Sequence, residues 1–177
     1  MGKSRLEAFS DGVFAIIITI MVLEMKVPHG DNLASLIPLV PVLLSYVLSF
    51  IFVGIYWNSH HHLFYAVRHV NGGALWANLH LLFWLSLTPF VTGWMGENHF
   101  RAVPVALYGV ILLMTGVAYY NLCRVLMKHH GNDSVLAKAI GRDIKGKVSL
   151  AIYAVAIPFA FVNEWVSVAC YVAVAVI

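Results

Sequence analysis

The chain has 177 residues, of which 61% are hydrophobic and only 11% are charged, with a formal net charge of +3. Soluble domains carry about 25% charged residues, so this composition excludes an ordinary soluble domain and indicates a protein that folds in lipid. A positive charge can also indicate nucleic-acid binding, but the basic residues here follow membrane topology, and we expect no nucleic-acid partner.

Six apolar segments follow one another along the chain. The first, residues 5–23, has about 20 residues, which is enough to span a bilayer, and no cleavage site follows it, so we expect a retained helix. The last has only about 13 residues, so we expect a short helix or one that continues past Ile177. The sequence predicts an all-α membrane protein with six transmembrane helices in one domain, residues 1–177. The other five segments are residues 33–57, 74–95, 103–127, 148–162 and 164–177.

The lysines and arginines are distributed unevenly between the two predicted sides of the membrane. With the N-terminus in the cytoplasm, all but two of the 11 basic residues fall on the cytoplasmic side, and only Lys26 and Arg101 fall outside. This bias is typical of membrane topology, so we expect both termini in the cytoplasm. The residues on the cytoplasmic side are Lys3, Arg5, Arg68, Arg124, Lys128, Lys138, Arg142, Lys145 and Lys147.

The first segment carries a carboxylate, Asp11, at the point where the helix enters its apolar region. On a helical wheel Ile16, Ile20 and Leu23 lie within about 60° of one another, and Thr19 borders this stripe. Asp11 points about 140° away from Ile16. Two interpretations stay open: Asp11 lies among the lipid headgroups, or it packs against another helix and pairs there with a basic side chain or a histidine.

The sequence RLEAFSDGVFA, residues 5–15, resembles the signature R-x-x-x-F-S-D-x-x-x-A of the transmembrane protein 175 family of potassium channels. YWNSHHHLF, residues 56–64, resembles the Trp-x-x-His end of that family's second helix, and NLHLLFWLSLTPF, residues 78–90, resembles its third helix. The likeness by motif therefore covers about the first half of the chain. The matching signature positions are Arg5, Phe9, Ser10, Asp11 and Ala15.

The resemblance implies a potassium-selective channel and not an enzyme. Members of this family lack the T-V-G-Y-G carbonyl filter of ordinary potassium channels, and this sequence contains no such string. Members with a single six-helix repeat form tetramers, which implies a homotetramer here, with the first helix lining the pore on the symmetry axis. The implied permeant is the potassium ion, the implied location is the cell membrane, and no cofactor or metal is implied.

The resemblance also implies roles for individual residues. It places a narrow hydrophobic constriction at Ile16, continued by Ile20 and Leu23, and it ties Thr19 to selectivity. The motif residues would form a structural network that fixes the cytoplasmic half of the first helix to its neighbours without touching the ion. The members of this network are Arg5, Phe9, Ser10, Asp11, Trp57 and His60, with His61 as the alternative to His60.

Two other functions remain open from the residues alone. A secondary transporter or proton-coupled cation carrier would need an acidic or histidine relay at mid-membrane and usually paired inverted repeats, and the sequence shows neither. The nine histidines suggest a membrane metalloenzyme. However, adjacent histidines on a helix point about 100° apart, and no repeated H-x-x-H-H box occurs.

Overall fold

The computed structural model describes residues 2–67, 69–130 and 144–176, and within these ranges the chain is helical and has no β-strand. The predicted cytoplasmic residues Arg68, Lys138 and Arg142 lie outside the described ranges. The helices are α1 (Lys3–Leu23), a 3₁₀-helix (Leu33–Leu39), α2 (Val40–Tyr65), α3 (Gly72–Ser86), α4 (Thr88–Glu97), α5 (Ala102–His130), α6 (Ile144–Phe159) and α7 (Glu164–Val176).

Four helical stretches of the described chain are long and apolar enough to cross a membrane. The two remaining helices, α6 and α7, have 16 and 13 residues, which is fewer than the about 20 that a straight span requires. The prediction of an all-helical membrane protein is therefore confirmed, whereas six spanning helices remain a prediction. The four stretches are Lys3–Leu23, Leu33–Tyr65, Gly72–Glu97 and Ala102–Lys128.

The third predicted segment, residues 74–95, is made of two helices. Helix α3 ends at Ser86 and α4 begins at Thr88, with Leu87 between them. Pro89 in the first turn of α4 has no backbone N–H, so it cannot continue the hydrogen bonds of α3, and the helix is interrupted there. Backbone hydrogen bonds on both sides of Leu87 still join the two helices into one apolar stretch.

The helices enclose two apolar clusters of buried side chains. The first cluster contains residues of α1, α2, α3 and α5, such as Phe14, Leu81 and Leu122. The second contains residues of α2 and of α4 to α7, such as Phe52 and Tyr171, and none from α1. Helix α1 packs on α2, α3 and α4, so it lies at the edge of the chain and has only one covered face.

Candidate pore helix and its anchoring network

One face of α1 is buried against the rest of the chain. Its buried residues are separated by three or four positions, so they form one stripe along the helix. The four apolar members belong to the first core cluster, and they fix both the position and the rotation of α1. The buried residues are Leu6, Ser10, Phe14, Ile17 and Met21.

The residues predicted to line a pore lie on the open side of α1. Ile16 is 57% exposed, Ile20 is 39% exposed and Leu23 is 79% exposed, and Thr19 is exposed beside them. Because they share a stripe, these side chains form a continuous surface and not scattered exposed residues. Continuous apolar surfaces of this kind mark contacts with other chains or with lipid.

The hydroxyl group of Thr19 is held by its own helix. Its Oγ1 donates to the carbonyl oxygens of Ala15, at 3.1 Å, and Ile16, at 3.0 Å. A hydroxyl has one proton and two lone pairs, so directing the proton at the backbone leaves the lone pairs available. Thr19 therefore presents oxygen lone pairs on the exposed face of α1, and oxygen lone pairs are what a cation binds.

A chain of buried hydrogen bonds joins α1 to α3 and α2. The Ser10 hydroxyl donates to the Leu6 carbonyl at 2.9 Å and accepts from Asn78 Nδ2 at 3.0 Å. The Asn78 Oδ1 lies 2.8 Å from His60 Nε2, so His60 donates this bond. Ser10, Asn78 and His60 are each at most 1% exposed. Three helices are thus joined by polar groups whose partners all lie within the protein.

The neighbouring residue Asp11 makes a different contact at the surface. Its Oδ1 accepts a 3.0 Å hydrogen bond from Trp57 Nε1, and the Trp57 ring stacks on His61 with ring centroids 6.2 Å apart. Asp11 is exposed in the single chain, and Trp57 is 46% exposed. The predicted histidine is thus bonded through Asn78 to Ser10, whereas Asp11 is bonded to the tryptophan of the Trp-x-x-His pair.

Two predicted members of the network have no such contact with the described residues. Arg5 and Phe9 are both exposed, Phe9 by 51%. Ion pairs join Lys3 to Glu7 and Lys26 to Glu97, but within the described ranges none joins Arg5 to Asp11. The reason is geometric, because residues six positions apart on a helix point about 120° apart. The structural roles of Arg5 and Phe9 therefore stay predictions.

The sequence interpretation did not identify Asn78 as the centre of the network. His80, two positions further along α3, is exposed and accepts a 2.9 Å hydrogen bond from Trp84 Nε1 in its own helix. A second buried polar group was missed, in which Ser49 on α2 bonds to Thr92 at 2.6 Å and to Tyr108 at 3.0 Å. Its only sequence signal was a polar residue within a long apolar run.

The described part of the chain contains no group of three or more His, Cys, Asp or Glu side chains that is placed to hold a metal ion. The histidines described above make hydrogen bonds and ring contacts with Asn78, Trp57 and Trp84. These histidines therefore serve packing and helix contacts in this structure.

The chain is similar to known proteins over nearly its whole length. A potassium channel of Chryseobacterium sp. (strain P1-3) is 53% identical over 177 residues, which is 100% of this chain and 92% of that protein. A potassium channel of Chamaesiphon minutus is 32% identical over 185 residues, covering 95% of this chain and 89% of that protein. A crystal structure of a lysosomal potassium-selective channel TMEM175 homolog from Chamaesiphon minutus has a TM-score of 0.84 at 30% identity, covering 98% of this chain and 94% of that chain.

The fold and the open face of α1 define an α-helical integral membrane protein whose first helix is anchored on one side only. The family model described as endosomal/lysosomal potassium channel TMEM175 matches residues 5–89, which include every predicted site residue. With the full-length relatives above, this match shows that the chain belongs to the TMEM175 family. The family resemblance of its first half is confirmed.

Proposed function

We propose that this chain is a potassium channel of the cell membrane and that it forms a homotetramer with α1 lining the pore. The observation that carries the proposal is the open face of α1, where Ile16, Thr19, Ile20 and Leu23 lie together. Four copies arranged with these faces on one axis would cover an apolar surface that a single chain leaves open. The similar proteins named as potassium channels support potassium as the permeant.

The gate in this proposal is a hydrophobic constriction. Ile16, Ile20 and Leu23 are four and three positions apart, so tetrameric rings of these residues would be about 6 Å and 4.5 Å apart along the pore. Apolar rings exclude water and close a pore by dewetting. Ile16 is the main constriction, and Ile20 and Leu23 extend the dry zone. A small widening of the rings would admit water and ions.

Selectivity in this proposal comes from Thr19 and needs no T-V-G-Y-G filter. Its oxygen faces outward because its proton is directed at the backbone. A ring of four such oxygens between the Ile16 and Ile20 rings would replace part of the water of a passing cation. Potassium gives up its water more readily than sodium, so a moderate preference for potassium follows.

The topology in this proposal has six membrane helices with both termini in the cytoplasm. The 3₁₀-helix with α2 forms the second crossing, and α3 with α4 forms the third. The short helices α6 and α7 form the last two crossings, joined at Asn163, whose side chain accepts from the Trp165 N–H at 3.0 Å. Lys145 and Lys147 at the start of α6 would then lie on the cytoplasmic side, as the charge bias requires.

The proposal is tested by single-channel recording from purified protein in a planar bilayer, with potassium on one side and sodium on the other. Discrete openings with a reversal potential displaced toward that of potassium are expected. Ile16→Asn should raise the open probability or leak, because a polar ring no longer dewets. Val22→Asn is the matched control, because Val22 is also exposed on α1 but lies about 120° from Ile16. Equal currents from wild type, Ile16→Asn and Val22→Asn would exclude Ile16 as the gate.

The alternative function is a secondary transporter or proton-coupled cation carrier. It would give a silent bilayer together with slow, saturable cation uptake into liposomes. Uptake driven by a proton gradient, without unitary currents, would replace the channel proposal with the carrier.

A further inference from the structure

A cluster of three buried hydroxyl groups ends at the sulfur atom of Met21, on the covered face of α1. Ser49 on α2 lies 2.6 Å from Thr92 on α4 and 3.0 Å from Tyr108 on α5, measured between hydroxyl oxygens. The Thr92 hydroxyl also lies 2.7 Å from the Thr88 carbonyl oxygen of its own helix and 3.8 Å from Met21 Sδ. The cluster therefore joins four helices, and Thr92 is its member next to α1.

The direction of these hydrogen bonds follows from the number of protons. Each hydroxyl group can donate one hydrogen bond and accept two. All three protons are used when Tyr108 donates to Ser49 and Ser49 donates to Thr92. The reverse order would leave the proton of the fully buried Tyr108 without an acceptor among the described residues. The Thr92 proton therefore remains for the Thr88 carbonyl and the Met21 sulfur, which share it.

Met21 lies on α1 beside the residues of the proposed constriction. It is 2% exposed and belongs to the first core cluster. Ile20 and Leu23 point about 100° and 160° away from Met21, so they lie on the open face of α1 while Met21 lies against Thr92. A rotation of α1 that moves Met21 away from Thr92 therefore also turns Ile20 and Leu23 out of their present direction.

The polar contact of Met21 is weaker than the contacts that hold the beginning of α1. Near Ser10 the helix is held by buried hydrogen bonds through Asn78, whereas a thioether sulfur is only a weak acceptor. Beyond the end of α1, Lys26 pairs with Glu97 on α4, but both side chains are exposed, and exposed ion pairs contribute little. The contact between Thr92 and Met21 can also break without leaving a buried proton unpaired, because Thr92 keeps the Thr88 carbonyl as its acceptor.

We propose that Thr92 is a positioning residue for the gate. Its hydroxyl group holds Met21, and with it the half of α1 after Ile16, in the position in which Ile20 and Leu23 face the pore. The inference rests on the proposed function, since it requires that α1 lines a pore. Apolar rings close a pore by dewetting, so the contact stabilises the closed state. On opening, Met21 is released, and Thr92 donates to the Thr88 carbonyl alone.

Single-channel recording from the purified protein in a planar bilayer tests this role with Thr92→Val, which removes the hydroxyl, and Met21→Leu, which removes the sulfur. A hydrogen bond between membrane helices shifts an equilibrium about threefold on average. The ratio of open to closed time should therefore rise about threefold if one chain decides opening, and up to about 80-fold if four chains move together. The double variant should exceed neither single variant, because both remove the same contact.

Thr92→Ser keeps the hydroxyl group and should restore the wild-type ratio. A purely structural role of Thr92 would lower the number of channels recovered but would leave the open and closed times of each channel unchanged. Met21→Leu leaves the three hydroxyl groups in place, so it tests the contact even where Thr92→Val folds poorly.

Thr115→Val is the matched control. Thr115 is also a buried threonine, 2% exposed, but its hydroxyl donates at 2.7 Å to the Ile111 carbonyl of its own helix, α5. Its removal should not change the ratio of open to closed time. A conducting wild type whose Met21→Leu and Thr92→Val variants gate like Thr115→Val would overturn the role of Thr92 alone, and so would a Thr92→Ser variant that gates like Thr92→Val. A wild type without unitary currents would instead overturn the channel function, and this role with it.

Discussion

Replacing Asn78 with leucine tests whether the buried polar chain holds α1 in place. Asn78 is 1% exposed and makes two hydrogen bonds, to Ser10 at 3.0 Å and to His60 at 2.8 Å. Leucine has a similar volume, so the substitution removes the polar contacts without opening a large cavity. His60 then loses its side-chain partner, whereas Ser10 still donates to the Leu6 carbonyl.

The expected cost follows from the two lost bonds. Hydrogen bonds between helices in membrane proteins contribute about 0.6 kcal/mol on average and up to about 1.7 kcal/mol. Two bonds therefore give about 1 to 3 kcal/mol, and the unpaired His60 nitrogen moves the expectation to about 2 kcal/mol. This change is a factor of about 30 in the unfolding equilibrium.

Adding His60→Phe to Asn78→Leu should recover part of this loss. The His60 ring already contacts Phe14 and Phe64, with centroid distances of 5.7 Å and 4.5 Å, so a phenyl ring fits the same surroundings. Removing both polar partners together costs less than leaving one unpaired. The double variant should therefore be about 1 kcal/mol more stable than Asn78→Leu alone.

Reversible unfolding by SDS in mixed micelles, followed by tryptophan fluorescence, measures these differences. His80→Leu is the control, because His80 is an exposed residue of the same helix and its hydrogen bond, from Trp84, lies within α3. It should change the free energy of unfolding by less than about 0.5 kcal/mol. An Asn78→Leu protein as stable as His80→Leu would refute the anchoring role, and so would additive losses in the double variant.

Two further predictions concern the opposite end of α1 and its neighbours. Gly96→Ala should destabilise the protein by about 1 to 3 kcal/mol in the same assay, because the added Cβ atom would lie 2.7 Å from Val42 Cα on α2. Gly93→Ala is the control and should be neutral, because a Cβ atom at Gly93 meets open space. Equal stabilities of the two variants would contradict the close packing of α2 and α4. The hydrogen bond and charge of Glu97 raise the pKa of Lys26, so their stabilising effect exists below the ordinary lysine pKa of about 10.4 and is lost as pH rises through the raised value. Between neutral pH and about pH 10 the difference in melting temperature between wild type and Lys26→Met should therefore be constant, and it should disappear at higher pH. A difference that persists in strong alkali would count against the ion pair.

Hydropathy and helix period were sufficient to predict the helical class and the two faces of α1. The stripe of Ile16, Ile20 and Leu23 follows from the 3.6-residue period alone, and the structure leaves these residues exposed. The interruption between α3 and α4 was not predicted, because residues 74–95 were interpreted as one segment, although the missing N–H of Pro89 is its physical cause. What the wheel does not give is whether an exposed apolar face meets lipid, water or another copy of the chain.

The sequence could not predict the hydrogen bonds among Ser10, Asn78 and His60, because they depend on how three helices are rotated relative to one another. Asn78 and His80 differ by only two positions, yet one faces the core and the other the surface, since two residues on a helix turn it by about 200°. The sequence also could not determine which of the three adjacent histidines is buried. In the structure His60 is buried and His61 stacks on Trp57, and rotating α2 by one residue would bury His61 instead.

The adjacent residues Ser10 and Asp11 make two different contacts near the start of α1. They point about 100° apart, so one side chain can enter the core while the next stays at the surface. The neutral serine takes the buried position, where a carboxylate would have cost several kcal/mol, and it satisfies Asn78 there. The charged aspartate stays exposed and accepts from Trp57, so α1 is tied to α2 at the surface as well as to α3 in the core. Both ties lie on the half of α1 that precedes Ile16. The half that carries Ile16, Thr19, Ile20 and Leu23 is held instead by the apolar packing of Ile17 and Met21 and by a 3.8 Å contact from Thr92 Oγ1 to Met21 Sδ.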